Sequence, residues 1–202
     1  ALAAILMPLL FSCSGGGSSA GMLGQLPDKY AQFTEEKAEL KKEAQNIKTE
    51  ADKKRFLEKS EKLNKKWKEK LEATAKDLNG KPIEFAESQF EVTIPVSLEF
   101  EEFSSESALT PKFKVNGEAK AASDITTDQK YYYSTENVYI TGYDAEGKQV
   151  YKARVGSVEV QDADGKLLVK AGTPVKFDKL GFGKADVEGS KLAKSYKLEM
   201  VR

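Results

Sequence analysis

After Pro27 no Gly or Pro occurs until Gly80, and the stretch between them is dominated by Lys, Glu, Ala and Leu. A run of this composition commits to helix, with Asn79-Gly80 as its stop. Apolar residues recur at helical spacing: Tyr30, Phe33, Leu40, Ala44 and Ile47, then Phe56, Leu63, Trp67, Leu71, Ala75 and Leu78. Gaps of three, four and seven describe a narrow stripe of the coiled-coil kind. Glu50/Lys54, Glu58/Lys62, Glu61/Lys65 and Glu72/Lys76 stand four apart on the remaining faces. One unbroken helix would need a partner chain for its stripe. The stripe loses phase between Ile47 and Phe56, however, and Thr49 to Asp52 reads as a capping box. The pattern therefore favours two antiparallel helices, roughly 28–47 and 50–79, with Phe33, Leu40 and Ile47 buried against Leu57, Leu63 and Trp67.

From about residue 82 the period changes to two. Phe90, Val92, Ile94, Val96, Leu98 and Phe100 alternate with polar residues, which predicts a long half-buried strand. Pro95 on its polar side cannot donate to a ladder, so the strand is expected at an edge or at a switch between sheets. Shorter β-rich segments follow at 112–115, 131–133, 137–143, 148–160, 166–170, 173–178 and 195–201. Turn signals lie between most of them: Asn116-Gly117, Asp144 to Gly147, Asp162 to Gly165 and Gly172 to Pro174. The expected fold class is α+β: an N-terminal charged helical hairpin (27–80), then an all-β antiparallel, immunoglobulin-like sandwich (81–202).

Composition removes several chemistries. The 202 residues include no His and a single Cys, and 32 basic side chains balance 32 acidic ones. Ser-His-Asp and Cys-His catalysis, His-ligated zinc and an internal disulfide are excluded. A net charge of zero gives no global attraction to nucleic acid, which is not an expected partner. No catalytic residue, metal ligand or cofactor-binding residue stands out.

The segment Ala1 to Phe11 is uncharged and apolar, too short to span a bilayer but right for the apolar core of a secretory signal. No Met or basic segment precedes it, so the natural chain is expected to begin a few residues earlier. Leu10-Phe11-Ser12-Cys13 followed by SGGGSSAG resembles the lipobox of a bacterial (Bacteroidota-like) lipoprotein: branched apolar at −3, small at −1, Cys at +1, with the bulky Phe11 as a departure. The resemblance covers about a tenth of the chain. It implies a signal peptide (1–12), cleavage before Cys13 and acyl attachment there. Two or three acyl chains, at roughly 0.8 kcal/mol per methylene, anchor stably. Neither Asp at +2 nor an acidic run follows Cys13, so the expected location is the outer membrane, facing the periplasm. Residues 13–26, rich in Gly and Ser, are expected to be a flexible tether.

Three further features invite functional readings. The segment Lys53 to Lys70 carries nine basic and three acidic residues, which suggests contact with anionic lipid headgroups if it is more than a solvated face. The two Asp-Ala-acid-Gly turns could be read as calcium loops, but each offers only two carboxylates, and a type I turn with a bulge accounts for them. Six of the eight Tyr lie between 131 and 151. A hairpin register with Tyr143 opposite Gln149, Thr141 opposite Tyr151 and Tyr139 opposite Ala153 would put Tyr139, Tyr143 and Tyr151 on one inward face, as core rather than a sugar-stacking platform. The expected function is a non-catalytic binding or scaffolding role with an envelope protein or glycan partner. The alternative is a carboxylate-dependent hydrolase of polysaccharide or cell wall, which would need a cleft lined by two carboxylates.

Overall fold

The computed structural model describes residues 21–127, 134–181 and 184–200. The signal segment, Cys13, the strand expected at 131–133 and Val201 lie outside the described residues. Two helices come first, α1 (Leu26–Ala44) and α2 (Glu50–Lys76). Pro27 suits the first turn of α1, where its missing N–H costs nothing, and Lys41 and Lys42 face the negative end of the helix dipole. The break between the helices is the capping box read from sequence. Asp52 N–H donates to Thr49 Oγ1 and Thr49 N–H donates to Asp52 Oδ2, each at 3.1 Å.

The two helices form an antiparallel hairpin, which resolves the choice between a hairpin and one long helix. Lys66 pairs with Glu36 at 3.0 Å and Lys59 with Glu43 at 2.6 Å, and in both pairs the residue numbers sum to the same value. The Phe33 and Trp67 rings, close to that register, lie 6.2 Å apart. The expected stripe is corrected at its distal end: Leu57 is 52% exposed, while Leu40 and Ile47 are half-buried. There the two helices have only each other, and Phe56, one residue away, takes the inward position. Burial becomes complete nearer the sheets, at Tyr30, Phe33, Trp67, Leu71 and Ala75.

The rest of the chain is a β-rich body. Its elements are β1 (Phe90–Phe103), β2 (Pro111–Ala121), β3 (Ile125–Thr127), β4 (Thr135–Tyr143), β5 (Gln149–Glu159), β6 (Gln161–Ala163), β7 (Lys166–Val169), β8 (Val175–Phe177), β9 (Lys179–Gly181), α3 (Lys184–Leu192) and β10 (Ser195–Glu199). Three antiparallel sheets result, in the orders β1-β2-β9, β10-β4-β5-β8 and β3-β7-β6. The two larger sheets are joined at Asp178, between β8 and β9. Its N–H donates to Val155 C=O at 2.8 Å, and its C=O accepts from Val115 N–H at 3.1 Å. The molecule is therefore mixed α+β, and a contiguous cluster of buried side chains runs from Leu23 through Trp67 to Leu198.

Four expectations change. First, the region after residue 81 is not all-β, because α3 packs on β5. A Cβ at Gly189 would stand 2.0 Å from Val150 O, so the helix backbone lies directly against the strand. That same Gly depresses helix propensity and hides the element in the sequence. Second, Asn116-Gly117 is not a turn. It lies inside β2, where Gly117 (φ +130°) faces a register shift in β1 between Ile94 and Ser97. A Cβ there would be 2.8 Å from Pro95 O. Pro95 thus sits at an irregularity on an edge strand, as its missing donor requires.

Third, Asp164 (φ +55°) and Gly165 (φ +78°) form a two-residue loop between paired Ala163 and Lys166. This is the type I′ hairpin turn rather than a type I turn with a bulge. Fourth, the tether does not extend to residue 26. Leu23 and Leu26 are fully buried, and Met22 N–H donates to the Tyr196 hydroxyl at 3.1 Å.

Glu36 ties the hairpin to pH. It accepts from Trp67 Nε1 and Lys66 Nζ, each at 3.0 Å. First the Trp67 bond and then the Lys66 bond hold its carboxyl below the ordinary glutamate range. A carboxylate depressed in the folded state adds stability above its unfolded value, and that stability is lost as pH falls through the folded value. Urea midpoints followed by Trp67 fluorescence are expected to drop as the solution is acidified below about pH 4.3, and Glu36→Gln should flatten that part of the profile.

Candidate functional site

Strands β10, β4 and β5 present two unlike faces. Side chains pointing inward, Val138, Ile140, Tyr151, Val155, Tyr196 and Leu198, are buried. The expected hairpin register holds at Tyr143 opposite Gln149, but Tyr151 then pairs with Gly142, Lys152 with Thr141 and Arg154 with Tyr139. The extra residue is Val150, a bulge beside the turn. Because strand side chains alternate with a period of two, this one-residue slip turns over the pairs from Gly142 to Tyr139, and a second bulge at Val155 restores the parity beyond them. Tyr139 and Tyr143 therefore face outward while Tyr151 stays in the core, which corrects the reading that placed all three inward. Tyr151 stacks edge-on against Tyr196 at 6.4 Å, and burial pushes its hydroxyl far above the ordinary value.

The outward face is an ordered polar array. Across the three strands, Lys197, Thr141 and Lys152 form one row, and Glu199, Tyr139 and Arg154 form the next. Lys152 Nζ lies 4.3 Å from the centre of the Tyr139 ring, and Lys197 Nζ lies 5.4 Å from that of Tyr143. Both are cation–π arrangements that hold an otherwise flexible ammonium in place. The Tyr143 hydroxyl and Thr141 Oγ1 both donate to Glu199 Oε1. Arg154 donates from Nε to Asn137 Oδ1 at 2.7 Å and pairs with Asp178 at 3.1 Å. The bond to Glu199, then burial, pushes the Tyr143 hydroxyl above the ordinary tyrosine range. In an alkaline absorbance titration, Glu199→Gln is expected to bring one tyrosine back down, and Tyr143→Phe to remove that same step.

The β10 edge of this sheet is covered. Residues 86–89 line the free side of β10: Leu198 N–H donates to Ser88 Oγ at 3.0 Å, Met200 N–H to Gln89 Oε1 at 2.8 Å, and Ala86 N–H to Tyr196 C=O at 2.8 Å. The middle of β1's free side is covered in the same way, with Gly80 N–H on Leu98 C=O and Ile83 N–H on Val96 C=O. The chain matches no protein-family model, no curated protein and no solved structure. What the face can do is therefore read from its own chemistry.

The other residues singled out from sequence are placed as follows. Asp144 Oδ1 accepts from Glu146 N–H and Lys148 N–H, and Asp162 Oδ1 accepts from Gly165 N–H, so both turn aspartates shape their own loops. No group of three His, Cys, Asp or Glu among the described residues could hold a metal ion. In the basic stretch of α2, Lys59 and Lys66 are paired with α1, Lys53 lies 3.9 Å from Glu50, and Lys70 lies over Trp67. Lys54, Arg55, Lys62, Lys65 and Lys68 stay exposed. A groove of about 590 Å³ lies where α1 meets α3. Its carboxylate, Asp28, is paired with Lys191 at 2.5 Å. No helix among the described residues is long and apolar enough to cross a membrane.

Proposed function

We infer that this chain is a lipid-anchored envelope protein that binds a partner and does not catalyse, held by Cys13 at the periplasmic side of an outer membrane. The lipobox-like Leu10 to Cys13 supports the anchor. The described residues begin at Gly21, and the seven residues between it and Cys13 can reach at most about 25 Å, so a molecule anchored at Cys13 would stay close to the bilayer. Exposed cations on α2, Lys54, Arg55, Lys62, Lys65 and Lys68, support contact with anionic headgroups, each contributing about 1 kcal/mol near the surface. The body itself we read as an immunoglobulin-like sandwich, a reading supported by the exchange of chain between two antiparallel sheets at Asp178.

The observation that carries the binding reading is the open, pre-ordered face built on Tyr139, Tyr143, Lys152 and Lys197. The hydrolase alternative has no comparable support: in the groove between α1 and α3, Asp28 is occupied by Lys191. Pull-down from solubilised envelopes tests the reading. Native protein should retain a partner that Tyr139→Ala/Tyr143→Ala loses. Cys13→Ala should abolish membrane association without abolishing partner binding in detergent. Intact-mass measurement showing no added acyl chains would overturn the anchor, and unchanged retention by the double tyrosine variant would overturn the binding face.

A further inference from the structure

We propose that the groove between α1 and the β1–β2 connection, residues 104–110, docks an acidic segment of a partner protein, its carboxylates seated on Lys37 and Lys41. This site is separate from the tyrosine-bearing face and does not depend on it. The groove, of about 280 Å³, is lined by Tyr30, Phe33, Lys37, Ala38, Lys41 and Ala108. Its walls are held together: the Tyr30 hydroxyl bonds to Thr110 Oγ1 at 3.1 Å, and Leu109 of the connection is fully buried. Lys37 Nζ donates to Ser107 C=O and lies 5.4 Å from the centre of the Phe33 ring, so this ammonium is held in place.

The two charges lack a counter-charge. On a helix the neighbours of a side chain stand three and four positions away, while those one and two away point elsewhere. For Lys37 these neighbours are Phe33, Thr34, Leu40 and Lys41, and for Lys41 they are Lys37, Ala38, Ala44 and Gln45. None is a carboxylate. Glu36 and Glu43 are engaged by Lys66 and Lys59 on another side of α1. Burial, and then the charge of Lys41, holds the Lys37 ammonium below the ordinary lysine range, with no carboxylate to offset them. The Cα atoms of the two lysines are about 6 Å apart, four residues at 1.5 Å each. Alternate residues of an extended chain repeat at about 6.6–6.8 Å, so carboxylates at every second position meet both ammonium groups. Ala38 and Ala108 are small enough for the backbone of such a chain to lie close. A bilayer presents a flat sheet of headgroups, which a groove walled on one side by the β1–β2 connection does not match. Fixed cations at a regular spacing in a groove suit a charged peptide.

Fluorescence anisotropy of a labelled decapeptide that alternates Asp and Ala, titrated with the full chain in detergent, tests the assignment. Its counterpart with Asn in place of Asp and phosphatidylglycerol vesicles serve as competitors. The Asp peptide should bind, with affinity falling as salt rises, and neither competitor should displace it. Loss of charge-assisted hydrogen bonds in Lys37→Gln/Lys41→Gln should weaken it about tenfold. Lys41→Gln alone, at an exposed side chain, should weaken it part of the way without lowering the urea midpoint, which separates lost binding from lost folding. Lys54→Gln/Lys62→Gln on α2 removes the same net charge and should leave the affinity unchanged. Absence of binding, equal binding of the Asn peptide, displacement by vesicles, an unaffected Lys37/Lys41 variant, or an equal loss in the α2 variant would each overturn the proposal. Because Tyr139→Ala/Tyr143→Ala should bind the Asp peptide normally, the outcome here is independent of the envelope pull-down.

Discussion

Trp67→Ala is expected to cost about 3–5 kcal/mol of stability, the range for deleting a fully packed large aromatic. The indole is 2% exposed and sits where α1, α2 and the body meet. Its loss removes the ring contact with Phe33, the hydrogen bond to Glu36 and the platform under Lys66 and Lys70. The hairpin beyond it is held by surface ion pairs, which are individually weak. The effect should therefore be regional before it is global. Hydrogen exchange should show protection lost along both helices before it is lost in β4 and β5. Trp67→Phe, which keeps most of the packing but not the donor, should recover most of the stability. Uniform loss of protection throughout the molecule would show that hairpin and sheets unfold as one unit.

Gly156→Ala is expected to cost about 1–3 kcal/mol, the overpacking range, although it adds a single methyl group and would ordinarily favour a strand. Gly156 pairs on one side with Val138 and on the other with Phe177. A Cβ there would lie 2.3 Å from Lys176 O and 3.0 Å from Phe177 Cα. The obstruction is backbone, so no rotamer change relieves it. The strands must separate at the place where Asp178 stitches the two larger sheets together. A lowered urea midpoint with an unchanged slope is the expected signature, and an unchanged midpoint would contradict the close approach of β8 to β5.

The hairpin is legible in the sequence because its determinants are local. Thr49 and Asp52 are three residues apart, and the Phe33–Trp67 contact follows from a stripe that repeats every three or four positions. The long strands β1, β4 and β5 are legible for the same reason, down to Pro95 and the edge it requires, whereas the three-residue strands β3, β6 and β9 are too short to show a period and the sequence pattern does not predict them. What escapes depends on backbone meeting backbone across long separations in sequence. Gly117 looks like a turn until β1 is seen pressing on it, and Gly189 looks like a helix breaker until β5 is seen beneath it. The candidate face shows the cost most directly. Its tyrosines and lysines are all visible, but one bulged residue, Val150, decides which of them share a side. No local propensity marks Val150 as the bulge, whereas the run of apolar Val150, Tyr151, Ala153 and Val155 fits either register. Leu23 and Leu26 are hidden because Gly and Ser dominate the residues before them.

The connector between α2 and β1 occupies the open rims of two different sheets, those of β1 and of β10. Unsatisfied strand rims are where one molecule recruits another into extended pairing. Where residues 79–89 bond to Val96, Leu98 and Phe100 on one rim and to Tyr196, Leu198 and Met200 on the other, the chain's own connector takes the place a neighbouring copy's strand would need.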